Sequence, residues 1–220
     1  MKLLEAAQNR DFGNIHKLVN YFDEYDFMLR DYLDREISLL EIGVQNGGSL
    51  AMWKKYFPKA HITGIDINPD CARFRENGVN ICIGSQSDAD FLKTVNDEYG
   101  PFDIMIDDGG HTMNQQLTSF NTLFPLLKDG GIYAIEDLHT SYWRKFGFGG
   151  TVRRIKKLID DIHYWAPQQS RANLRQRIKN KLFSPPKPDF FQENVRSIYI
   201  ADSICFIRKQ KILKYQNVKM

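Results

Sequence analysis

The densest chemistry in the chain is Asp107-Asp108-Gly109-Gly110-His111, answered 25 residues after His111 by Glu136-Asp137-Leu138-His139. Each run follows a short apolar stretch, Phe102–Ile106 or Ile132–Ile135, that reads as a buried strand. If these strands are neighbours in one sheet, three or four carboxylates converge at its edge. Bare carboxylates that close repel each other, and one takes up a proton. A divalent cation removes that cost. Donors that are all oxygen point to a hard ion, Mg²⁺ with Mn²⁺ or Ca²⁺ as alternatives, rather than Zn²⁺. His111 lies on the turn that enters a helix. A neutral imidazole beside a hydroxyl activated by a metal is suited to general-base work. His139 has no separate mark and reads as structural.

A second constellation supplies a cofactor site. Ile37–Val44 reads as a strand, and the turn Gly43-Val44-Gln45-Asn46-Gly47-Gly48 follows. Glycines there allow a ligand to approach the backbone. Gln45 stands where a glycine would admit a pyrophosphate, which counts against a nicotinamide dinucleotide. Asp66 closes a second strand, His61–Ile67, 25 residues after Glu41, and an acid there can accept hydrogen bonds from ribose hydroxyls. After a third strand, Asn80–Ile83, the small polar run Ser85-Gln86-Ser87-Asp88 suits adenine, or Ser87 or Asp88 caps the next helix.

The elements that position these residues alternate. Helices are expected at Ser49–Phe57, Ala89–Tyr99 and Gln115–Leu127, between strands. That order predicts an α/β fold, a doubly wound and mostly parallel sheet. Arg196–Ala201 and Ser203–Arg208 are two apolar-rich strands joined at Asp202, which forces an antiparallel hairpin late in the chain. Between them and the body, Thr151–Trp165 has apolar residues at helical spacing, Arg171–Leu182 is a weaker amphipathic candidate, and Ser184–Pro188 reads as a loop.

Charge divides the chain. Residues 1–143 hold 12 Lys/Arg against 22 Asp/Glu, a balance of −10, while residues 144–188 hold 12 against 2, a balance of +10. A basic insert on an acidic body predicts an anionic acceptor or peripheral contact with an anionic membrane; a solvated helical face is the plainer alternative. The N-terminus lacks a long apolar run and no stretch approaches the roughly 20 apolar residues of a membrane span, so the expected location is cytoplasmic. Cys71, Cys82 and Cys205 have no metal-ligand spacing and read as buried thiols.

With these residues located, the chain resembles the metal-dependent class I methyltransferases that act on sugar hydroxyls, of the macrolide-sugar type, and is similar to the cephalosporin-biosynthesis methyltransferase-like proteins. The resemblance rests on LLEIGVQNGGSLAMW (39–53), ITGIDINPDC (62–71), IDDGGHTMNQQLTSF (106–120) and GGIYAIEDLHTSYW (130–143). It implies a seven-stranded class I sheet in a single domain, with residues 1–36 as a helical lid and 144–194 as an insert on the acceptor side. It implies S-adenosylmethionine as methyl donor, with contacts from Glu41, Gly43, Gly47, Asp66, Ser85, Gln86, Asp107, Lys17 and Tyr21. It also implies Mg²⁺ on Asp108, Glu136 and Asp137, His111 as the base, and a sugar or glycoside acceptor. Ser85 departs from the acid usual in that family. A catechol acceptor, a non-catalytic cofactor-binding module and a nicotinamide oxidoreductase are the rival readings. Nucleic acid is not an expected partner, because no amino-methylating Asn/Asp-Pro-Pro-Tyr/Phe motif is present.

Overall fold

A computed structural model describes residues 1–8, 14–164 and 187–212. Two N-terminal helices, α1 (Leu3–Ala7) and α2 (Asn20–Leu29), precede β1 (Ser38–Ile42) and α3 (Gly48–Tyr56). Then come β2 (His61–Asp66), β3 (Asn80–Ile83), α4 (Ala89–Tyr99), β4 (Ile104–Asp107), α5 (Met113–Leu123) and β5 (Ile132–Ile135). The chain closes with α6 (Gly150–Ile162), α7 (Phe190–Asn194), β6 (Val195–Ala201) and β7 (Ile204–Lys209). The strands form one seven-stranded sheet in the order β3-β2-β1-β4-β5-β7-β6. The first five run parallel; β7 is antiparallel to both β5 and β6. This is the doubly wound sheet with a late hairpin that the alternation of strands and helices predicts, and it has the class I methyltransferase arrangement.

Alternation along each strand feeds two cores. Leu39, Ile62, Ile104, Ile106 and Phe206 pack on the side of α1, α2 and α3, with Trp53 and Tyr25. Leu40, Ile65, Met105, Tyr133 and Ile207 pack on the other, with Leu92, Phe120 and Leu158 from α4, α5 and α6.

Local chemistry sets the boundaries. Asp88 caps α4 by accepting from the amides of Asp90 and Phe91. Thr112 caps α5 in a reciprocal box with Gln115, which starts that helix at Met113, ahead of the predicted Gln115. Pro125 tightens its end into a short 3₁₀ turn at Phe124–Leu126 instead of a helix running to Leu127. Strand β4 begins later than its apolar residues suggest and takes in Asp107. The predicted helix at Arg171–Leu182 and most of the predicted loop at Ser184–Pro188 lie outside the described residues.

The register determines what meets at the sheet edge. Asp107 is level with Ile42 on one side and Ile135 on the other. Asp108 and Glu136, one residue further, are therefore neighbours. Gly43 lets the turn after β1 come close to Asp108 as well: its φ is +100°, and a Cβ there would lie 2.0 Å from the Asp108 carbonyl oxygen. Gly43→Ala is expected to lower the unfolding free energy by about 2–4 kcal/mol, through backbone strain and displacement of β4, as read from the urea midpoint.

Candidate active site

A cavity of about 550 Å³ opens at the carboxyl ends of β1, β2, β3 and β4. One wall is the glycine turn. Asp66 organises it: Oδ2 accepts from the amides of Val44 and Gln45, each at 2.9 Å, and Oδ1 from the amide of Asn68 at 2.8 Å. Three donors still leave lone-pair capacity on a carboxylate, and Asp66 lines the cavity. Ser85 also lines it, while its hydroxyl accepts from the Ser87 amide at 3.2 Å.

The opposite wall is the acidic turn after β4. Gln86 shapes it, donating to Asp107 at 3.0 Å and accepting from the Gly110 amide at 2.6 Å. Asp107 faces inward, fully buried among Gln86, Ser119 and Tyr133. Burial pushes its carboxyl up from the usual range, against those hydrogen bonds. His111 has φ +56° and Asp137 φ +55°, both left-handed and unusual without glycine. The Thr140 hydroxyl sits between their carbonyls, 2.8 Å from that of Asp137 and 3.1 Å from that of His111, and can donate to either. His111 Nε2 comes to 3.3 Å from Asp137 Oδ2, while Nδ1 is buried without a hydrogen-bond partner. Asp108, His111 and Asp137 each offer a ligand atom within 4.8 Å of the others. The two carboxylates are oxygen donors of the kind a hard divalent cation takes, with the imidazole beside them.

Behind this wall lies a ring of buried charge. Lys17 Nζ is 2.7 Å from Asp108, 2.6 Å from Glu136 and 3.3 Å from Glu41. Burial works against the ammonium, but these three acids outweigh it and hold the proton in place. Burial and the neighbouring Asp108 push the Glu136 carboxyl up, with Lys17 opposing. Tyr25 donates to Glu136 at 2.6 Å. The Tyr21 hydroxyl accepts from the Asp137 amide at 3.1 Å and lies 2.9 Å from Asp137 Oδ1. Glu41 also accepts from Ser49 and Trp53.

The sequence-predicted residues thus divide. Lys17, Gly43, Asp66, Ser85, Gln86, Asp108, His111 and Asp137 line the cavity. Glu41, Gly47, Asp107, Tyr21 and Glu136 stand outside its lining. Gly47 turns the chain into α3 with φ +73°, where a Cβ would strike the Phe74 ring. His139 is structural, as expected, with Nδ1 2.5 Å from the Ser203 hydroxyl. Sequence reasoning missed Gln116, which donates to the Glu136 carbonyl, and Ser119, which donates to Asp107. Their signal was a polar side chain on the buried face of an amphipathic helix.

Fold and cavity define a class I methyltransferase domain. Residues 40–138 match the family model described as a methyltransferase domain. The mycinamicin VI 2''-O-methyltransferase of Micromonospora griseorubida is 34% identical over 215 residues, covering 90% of this chain and 49% of that protein. A tetracenomycin rhamnosyl 3'-O-methyltransferase of Streptomyces olivaceus is 43% identical over 143 residues, 58% of this chain and 36% of its own. The crystal structure of MycE from the mycinamycin pathway, in complex with Mg and SAH, superposes with a TM-score of 0.79 at 32% identity, covering 95% of this chain and 54% of MycE. The chain carries this methyltransferase domain and is similar to these sugar O-methyltransferases, and it spans about half the length of the curated relatives it matches.

Proposed function

We propose that the chain moves the methyl group of S-adenosylmethionine to a hydroxyl of a sugar or glycoside, with His111 as base and a divalent metal at the acidic turn. The observation that carries this is the approach of Asp108, His111 and Asp137 on the wall of the cavity that also holds the glycine turn. Donor and acceptor sites then share one chamber, and positioning the two reactants supplies much of the rate. The relatives' substrates are glycosides, and MycE has also been seen with Mg, SAH and mycinamycin VI together.

The chain's own residues set the roles. The glycine turn and Asp66 hold the donor; Ser85 and Gln86 flank its far end. Asp108 and Asp137, with Glu136 as the third carboxylate, would hold the metal. When bound, it supplies the Lewis acidity that lowers the pKa of an alcohol. Only Nε2 of His111 can take the proton, because Nδ1 is buried. The resulting imidazolium is stabilised by Asp137, already within 3.3 Å of Nε2. The oxygen is then free to attack the sulfonium methyl in line, and S-adenosylhomocysteine leaves.

The insert adds to the acceptor side. Part of its positive charge is structural: Asp161, buried, pairs with Arg154 and Lys157. Arg144, Lys145, Arg153 and Lys156 remain exposed, the complement of an anionic acceptor. No helix among the described residues is long and apolar enough to cross a membrane.

Transfer of labelled methyl from S-adenosylmethionine to a panel of rhamnosides, glucosides and nucleotide sugars tests the reading. Label in a glycoside supports it; label confined to catechols, or none at all with metal present, overturns it. Asp66→Ala is expected to weaken S-adenosylhomocysteine binding by about 1–3 kcal/mol, since it removes an acceptor and loosens the turn. Unchanged affinity by calorimetry would remove Asp66 from the donor site.

A further inference from the structure

The N-terminal strap reaches every carboxylate assigned to the metal. Tyr21 and Tyr25 are four residues apart on α2, the spacing that stacks side chains on one side of a helix. Lys17 lies just ahead of α2, and Tyr21 and Tyr25 lie on it. Lys17 contacts Asp108 and Glu136, Tyr25 donates to Glu136, and Tyr21 meets Asp137 through both its carboxylate and its amide.

From this we propose that Lys17, Tyr21 and Tyr25 are positioning residues for the metal-binding carboxylates and not contacts of the methyl donor; the proposal rests on the metal reading given above. An ammonium has three N–H donors. Lys17 donates to Asp108 and Glu136, and Glu41 stands 3.3 Å from the nitrogen; with the side chain 1% exposed among these three carboxylates, the ammonium is committed to them rather than to the carboxylate of a methionine moiety. The two tyrosines are buried and outside the cavity lining. Partners of this kind fix the direction in which a ligand oxygen points, and they matter nearly as much as the ligands themselves. Lys17 adds a second effect. It neutralises carboxylates that would otherwise lie buried and unpaired, so the acidic cluster can fold before any metal arrives.

The test is Mn²⁺ binding to the full chain, followed by electron paramagnetic resonance, beside S-adenosylhomocysteine binding measured in chelator. Tyr21→Phe and Tyr25→Phe remove one hydroxyl each. Each should weaken Mn²⁺ binding about 10-fold or more and leave S-adenosylhomocysteine affinity within about twofold. Lys17→Gln should lower the melting temperature without metal, and Mn²⁺ should raise it by more than in the parent; Lys17→Arg should behave as the parent. If Lys17→Gln does not fold, the tyrosine variants decide. Mn²⁺ affinity unchanged in both overturns the proposal, as does a loss of S-adenosylhomocysteine affinity equal to the loss of Mn²⁺ affinity. A parent protein that binds no Mn²⁺ overturns this proposal and the metal reading together; a parent that binds it as the variants do removes the proposal alone.

Discussion

His111→Gln is expected to lower kcat about 10²–10⁴-fold, the usual contribution of general acid–base catalysis. The argument is geometric. One ring nitrogen is buried and the other faces Asp137 at 3.3 Å, so a single nitrogen can accept a proton and a single carboxylate stabilises the product. Glutamine preserves much of the ring's volume and polarity and cannot be the base. Calorimetry should show S-adenosylhomocysteine binding almost unaltered, because the glycine turn and Asp66 lie on the other wall. A normal kcat in this variant would remove the base assignment while leaving the metal assignment in place.

Removing the metal should have an effect as large. Lewis acidity contributes several kcal/mol to stabilising developing charge, which corresponds to about 10³-fold or more in rate. Excess chelator should therefore reduce turnover to background, and Mg²⁺ or Mn²⁺ should restore it. Asp137→Ala should abolish both the activity and its metal response, since Asp137 is the proposed ligand and also the partner of His111. Full turnover in excess chelator would eliminate the metal mechanism. Because Lys17 remains among Asp108, Glu136 and Glu41, the chelated protein should stay folded, so lost turnover can be separated from lost structure by circular dichroism.

Much of the frame was legible in the sequence, because it depends on periodicity and punctuation. Apolar runs closed by Gly, Asp or Glu mark β1 to β5, and the spacing around Asp202 marks the hairpin. The acidic cluster was legible for the same reason: strand ends are easy to find, and parallel neighbours bring their ends together. What could not be read is which way each acid points. Asp107 and Asp108 are adjacent, yet one is anchored inside by Ser119 and Tyr133 and the other lines the cavity. Side chains alternate along a strand, so orientation turns on a single residue of register. Ending β4 at Ile106, one residue early, conceals it. Glu136 and Asp137 divide likewise, the first toward Lys17 and Tyr25, the second toward His111. The roles of Lys17 and Tyr21 depend on contacts 91 to 119 residues away, which no local pattern encodes.

The hairpin turn has a further bearing on how the molecule is made. Ser203 offers its carbonyl to the Leu138 amide and, across 182 positions, to the Tyr21 hydroxyl. Asp202 receives the side chain of Asn20 over the same separation. The wall beside Asp137 is therefore closed by two segments drawn from opposite ends of the described sequence. Strand β7, the last in sequence among the described strands, inserts between β5 and β6. Contacts so distant carry the greatest loop-closure cost and form late. On the ribosome, the glycine turn can assemble while the chain is still emerging, whereas the acidic wall must wait for residue 203. The nascent protein passes through a stage in which the glycine turn is formed and the acidic wall beside Asp137 is still open.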